Sequence, residues 1–216
     1  MTLGLALLMS ASLSTPAMAD VFTYSLTIDH CDGGCGTAPF GTITVTDFAP
    51  NEVSLDIELG PNFFVQGGQP GSTVGFNLNN TPEIGDLAIV SSSLPDWSLD
   101  SPSAGSLHFD GFGDFEYSLN CCDGIIGGSH KQPGSETVMI SGTGLRAASF
   151  HELSTGPGSV PVYFAVDIYS NATGNTGPVG AVNEPLNPVV PEPTSIVLLG
   201  TVAALIIGLK RRRLAA

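Results

Sequence analysis

Apolar and polar residues alternate one by one over several short stretches of this chain, the two-residue period of a strand that buries one face. Phe22, Tyr24, Leu26 and Ile28 alternate with Thr23, Ser25 and Thr27. Ile43 and Val45 repeat the pattern within residues 42–46. Val53, Leu55, Ile57 and Leu59 then alternate with Ser54, Asp56 and Glu58 in the clearest amphipathic strand of the sequence. Asn51 predicts a turn between the last two, so the N-terminal strands should form a meander. Residues 63–66 make a short apolar piece, Val74, Phe76 and Leu78 carry the next strand, and residues 87–92 predict a strand covered on both faces. Residues 94–106 hold the only Trp, Trp97, among prolines and serines, and predict a long ordered loop. Phe109, Phe112, Phe115 and Tyr117, with Gly111 and Gly113 between them, predict a bulged or paired edge over 107–119. Residues 137–141 form a further strand, and Val162, Phe164, Val166 and Ile168 line one face of a last one ending at Tyr169. Only residues 145–153 have helical character.

About nine short strands, with no run long enough for crossover helices, predict an all-β chain: an antiparallel β-sandwich or jelly roll. The 27 glycines and 16 prolines supply its turns. Residues 20–169 are a single-domain length with room for a sizeable core. Residues 170–189 are Gly, Asn, Thr and Pro with Glu184 as their only charge, the composition of a flexible linker.

Both ends of the chain break the alternation. Residues 3–13 are an apolar run followed by Ser14-Thr15-Pro16 and Ala17-Met18-Ala19. This predicts a signal peptide over 1–19 and a mature start at Asp20. No Lys or Arg precedes the run, so the terminal amine would supply the positive charge unless the true start lies upstream. At the other end residues 194–209 carry no charge, and a helix there would be apolar on every side. Sixteen residues rise roughly 24 Å against roughly 30 Å of hydrocarbon, a gap that snorkelling arginines and local thinning can close. Lys210, Arg211, Arg212 and Arg213 follow at once, a cytoplasmic stop that places everything upstream outside. Pro191 and Pro193 bias the strip before the helix toward extended, exposed chain.

The order Pro191-Glu192-Pro193, apolar helix 194–209, basic cluster resembles the PEP-CTERM sorting signal of exported Gram-negative proteins, here spanning 190–213. The resemblance implies passage through the secretion translocon, a transient membrane anchor, and processing at the Pro-Glu-Pro strip by an exosortase. It also implies a place at the cell surface or in the extracellular matrix of exopolysaccharide-producing bacteria. It says nothing of what residues 20–169 do.

Charge narrows the partners. The chain carries 20 acidic and 6 basic residues, and upstream of the tail only Lys131 and Arg146 are cationic against 19 acids, about −17 net. Such a surface repels nucleic acid and anionic lipid and favours cations. Asp110, Asp114 and Glu116, with Asp123 close by, place carboxylates at alternate positions of a Gly-bearing segment, a possible calcium ligand set that lacks the twelve-residue loop spacing.

The four cysteines, Cys31, Cys35, Cys121 and Cys122, predict disulfides in an exported chain. Adjacent cysteines bond only through a strained ring, and closing a loop of about 90 residues contributes on the order of 4 to 5 kcal/mol. Cross-links between the two pairs are therefore favoured over a local Cys31–Cys35 bond with a vicinal Cys121–Cys122 bond. A four-thiolate zinc site fits neither the spacing nor export. His30, His108, His130 and His151 stand alone, no Ser occupies a G-x-S-x-G elbow, and no carboxylate pair stands out for glycoside hydrolysis.

The expectation is a non-catalytic surface or matrix protein. The alternatives are a carbohydrate- or calcium-binding module of the exopolysaccharide matrix, with Trp97, Tyr163 or Tyr169 offered to sugar, and a secreted hydrolase.

Overall fold

Strand formation follows the alternation closely, because Thr, Val and Ile fit a pleated, half-buried surface. The computed structural model describes residues 19–67, 72–79, 86–100, 107–121 and 131–183, all within one compact unit, Ala19–Pro188. Its strands in chain order are β1 (Val21–Leu26), β2 (Ile28–Asp29), β3 (Gly41–Ala49), β4 (Glu52–Leu59), β5 (Phe63–Val65), β6 (Val74–Phe76) and β7 (Ala88–Ser92). They continue with β8 (Ser98–Asp100), β9 (Leu107–Phe109), β10 (Gly113–Phe115), β11 (Tyr117–Asn120), β12 (Ser135–Ser141), β13 (Phe164–Ser170) and β14 (Thr176–Ala181).

These strands build two antiparallel sheets and a separate hairpin. The first sheet has the order β1-β3-β4-β12-β7. The second has the order β2-β14-β13-β6-β11-β8, with β5 also pairing β13, and β9 pairs only β10. The first three long strands form the expected meander. Inward residues of both sheets fill one core: Tyr24, Ile43, Val45, Leu55, Ile57 and Val138 from the first meet Val74, Phe76, Leu119, Phe164, Val166 and Ile168 from the second. The outward positions of the first sheet are mostly hydroxyls and acids, with Val21 and Met139 among them. Thr23 and Thr44 hydroxyls meet at 3.2 Å, and Asp56 accepts from Thr137 at 2.6 Å and Ser54 at 3.1 Å.

The structure departs from the sequence expectations at several points. The strand expected to run through Ile28 divides at Thr27, whose N–H donates to the Gly180 carbonyl at 2.9 Å. Ile28 thereby joins the second sheet and packs in a different cluster from Tyr24 and Leu26. Residues 87–92, expected to be covered on both faces, form the edge strand β7. A register shift there leaves Val90 out of the ladder and 52% exposed. The expected loop at 94–106 contributes strand β8, and the helical stretch is one 3-10 turn, Ala147–Phe150.

The largest correction concerns the predicted linker 170–189. Its residues 176–181 are β14, which pairs β13 over six positions and places Val179 and Ala181 in the core. Gly and Pro are scarce in strands in general, yet here they serve packing needs. The Pro-Glu-Pro motif, the apolar stretch 194–209 and the basic cluster lie outside the described residues. Among the described residues no helix is long and apolar enough to cross a membrane.

Candidate functional site

Register explains why a third layer forms. Ser118 pairs Gly75, Gly75 pairs Ala165, Ala165 pairs Gly180 and Gly180 pairs Ile28, so a row of small side chains crosses the outer face of the second sheet. A Cβ on Gly180 would lie 2.7 Å from the Phe112 ring, and one on Gly75 would lie 2.6 Å from Phe109 and 2.9 Å from Phe115. The β9–β10 hairpin thus lays three rings onto the row, forming a second cluster with Leu107, Val162 and Ala165. Strands of three residues are marginal alone. Each buried Phe contributes about 1.5–3 kcal/mol, which outweighs the few ladder hydrogen bonds in holding the hairpin down. Further ties run to a neighbouring segment: the Asp114 N–H donates to Thr155 O, Val160 N–H to Gly111 O, and the buried Ser154 hydroxyl to Phe112 O at 2.7 Å.

Asp167 lies on the same outer face, two residues along β13 from Ala165. Its Oδ1 is buried and accepts no hydrogen bond among the described residues. Burial pushes its carboxyl up from 3.8 to about 7; a bond from the Ile168 backbone lowers it in part, and the Asp110 charge at the hairpin turn raises it further. In the sequence Asp167 occupies the polar phase of an amphipathic strand. Nothing local signals that one of its carboxylate oxygens is enclosed.

The three residues predicted to hold calcium are not brought together. His108 stands opposite Asp114 in the β9–β10 ladder, and its Nδ1 lies 2.8 Å from Asp114 Oδ1 while its Nε2 is 3.9 Å from Asp110 Oδ1. The imidazole fills the space a cation would need between the two carboxylates. Glu116 lies beyond the end of β10, where its N–H donates to Asn77 Oδ1 at 2.7 Å. Among the described residues, the three ligating side chains drawn together are Asp29, Cys31 and Cys35. Both sulphurs of that set are already bonded to each other.

The Cys31–Cys35 disulfide corrects the favoured long-range cross-link between the two cysteine segments. Cys121 is buried and also disulfide-bonded; Cys122 lies outside the described residues, as do His130 and Asp123. Asp29 organises the disulfide loop, its two oxygens accepting the Cys31 and Cys35 N–H groups at 2.9 and 2.8 Å. The loop then rests on β14. Asn175 donates to the Gly34 carbonyl at 2.7 Å, and Gly177, at φ +147, leaves room for the Cys31 backbone, which a Cβ would meet at 2.6 Å.

No known protein family matches the sequence, and no curated protein or solved structure does either. The side chains themselves must therefore carry the reading. Of the three aromatics considered for sugar binding, Trp97 is 6% and Tyr163 7% exposed, both packed in the core. The Tyr169 ring is occupied by Lys131, whose Nζ sits 4.4 Å from its centroid and 4.7 Å from that of Phe64, with a 3.2 Å bond to Asn171 Oδ1. None of the three offers an open platform.

Two further buried groups have no chemistry assigned from sequence. Glu136 faces the interior near one end of the first sheet, held by the Ser93 hydroxyl; burial raises its carboxyl above the ordinary range, and the Ser93 bond works the other way. The Tyr24 hydroxyl is buried beside Tyr163, and burial, then the Tyr163 charge, raises its pKa.

Proposed function

We propose that this chain is an exported protein that is processed by an exosortase and then takes a non-catalytic structural place at the cell surface or in the extracellular matrix. One observation carries the reading: Pro191-Glu192-Pro193, an uncharged stretch of membrane-spanning character and four consecutive cations follow one another in that order. A cationic cluster resists transfer across the bilayer, so it fixes the orientation and presents the extended strip on the outer side. The described sandwich supports the same role. It is acidic, its edge strands β2, β7 and β8 are short or bulged, and its outward hydroxyls suit a hydrated setting.

The test is processing. Replacing Pro191, Glu192 and Pro193 by alanine in the producing cell should leave a membrane-retained precursor of higher mass. A mature product of the same mass as the unaltered protein would refute exosortase recognition at this strip.

A further inference from the structure

The sheets end on β1 and β7 in the first and on β2 and β8 in the second. Most of these edges are blunted against pairing with another chain: β2 has two residues, β8 has three, and β7 carries a register shift. β1 differs. It pairs β3 over six consecutive positions with no shift, and Val21-Phe22-Thr23-Tyr24-Ser25-Leu26 contains no charge, proline or glycine. Among the described residues no strand pairs its other side.

Two bonds fix where its free backbone groups point. The Asp20 carbonyl accepts from the Asp47 N–H at 2.9 Å, so Asp20 and every second residue after it turn their backbone groups toward β3. Thr27, in the opposite phase, donates away from β3 to the Gly180 carbonyl at 2.9 Å. Val21, Thr23 and Ser25 share the phase of Thr27, so their N–H and C=O groups face outward, and all three residues are half-buried rather than enclosed. β14 does not continue along them. The Ala181 carbonyl accepts from Tyr163, and Val182 packs on the second cluster.

This outward row is self-complementary. An antiparallel copy centred on Thr23 sets Thr23 opposite Thr23 and Val21 opposite Ser25 on either side, and each such pair exchanges two backbone hydrogen bonds. On the inner side Phe22, half-buried at the margin of the core, stands opposite Tyr24 of the second copy. Charge selects the direction. Antiparallel pairing sends the Asp20 and Asp47 end of each copy to the far end of the other's strand, whereas parallel pairing would stack these acids in an already acidic protein.

We propose that β1 is a self-association edge: two copies of the chain join β1 to β1, antiparallel about Thr23, and merge their first sheets into one. Strand addition of this kind draws its affinity from main-chain bonds and needs no pocket. It gives a surface or matrix protein a way to link its own copies, and it holds whether or not the tail is cut at Pro191-Glu192-Pro193.

Cysteine cross-linking of the full chain in mild detergent tests the edge. In the antiparallel register the Thr23 Cα atoms of two copies lie about 5.5 Å apart, within disulfide reach. T23C should therefore form a cross-linked dimer on oxidation, read on a non-reducing gel. V21C alone should not, because position 21 meets position 25, whereas V21C mixed with S25C should. Adding T23K to both of those chains sets two cations opposite each other and should abolish their cross-link, with strand content unchanged by circular dichroism. No cross-link in T23C, cross-linking of V21C alone, or a V21C–S25C cross-link that survives T23K would overturn the proposal.

Discussion

The ring of Phe109 lies where a side chain on Gly75 would have to be: a Cβ there would come within 2.6 Å of Cε2. The outer layer is thus built by subtraction, with glycines in β6 and β14 making room for aromatics from a distant hairpin. Gly75 is not in the left-handed region, so its role is steric. G75A should destabilise by about 1–3 kcal/mol through overpacking, read as a lower urea midpoint at unchanged slope. An unchanged midpoint would mean the hairpin shifts freely.

Stability should fall as pH rises. The folded-state pKa of Asp167 is raised from 3.8 to about 7, so its favourable contribution is fully present below pH 4 and is lost as pH climbs through 7. A shift of this size corresponds to at most about 4 kcal/mol. Glu136, also raised by burial, acts in the same direction. Urea titrations of the unaltered protein and D167N across this range should diverge, with the variant the flatter and the more stable at neutral pH.

The Cys31–Cys35 ring is small, and in the chain-entropy model it contributes about 2 kcal/mol. C31S/C35S should lower the melting temperature and, more locally, speed exchange at the His30 amide, which donates to Pro178 O at 3.0 Å. If only the melting temperature moved, the loop would not be what seats the start of β14.

Lys131 bridges Phe64 of β5 and Tyr169 of β13. K131M keeps the stem and removes the charge, and should cost about 0.5–1 kcal/mol, with K131R recovering most of it in thermal melts.

Deleting Lys210 to Arg213 should leave the precursor misoriented or unprocessed in cells, observed by protease accessibility of residues 20–169. Normal maturation of that variant would count against the proposed membrane stop.

Local pattern made most of the strands legible, because a period of two records which side of a strand is dry. Val53 to Leu59 is read correctly to its end, and β12 and β13 within two residues. The readings failed where the deciding contact is remote. Val90 looks buried by composition but falls in a bulge at an edge. Residues 176–181 look like linker, yet Gly177 and Gly180 are small because Cys31 and Phe112 press on them. Asp110, Asp114 and Glu116 look like a ligand set by spacing, but His108 comes between the first two and the third belongs to another stretch of chain.

By itself the sequence determined an all-β chain, most of its inward-facing residues, its acidity and the apolar and basic runs at its ends, since each depends on neighbours along the chain. Only the tertiary structure decided that Cys31 joins Cys35, that residues 176–181 complete a sheet, and that one carboxylate oxygen of Asp167 is enclosed. Alternation separates the two faces of a strand, but what lies over each face depends on pairing and layering between segments far apart in sequence.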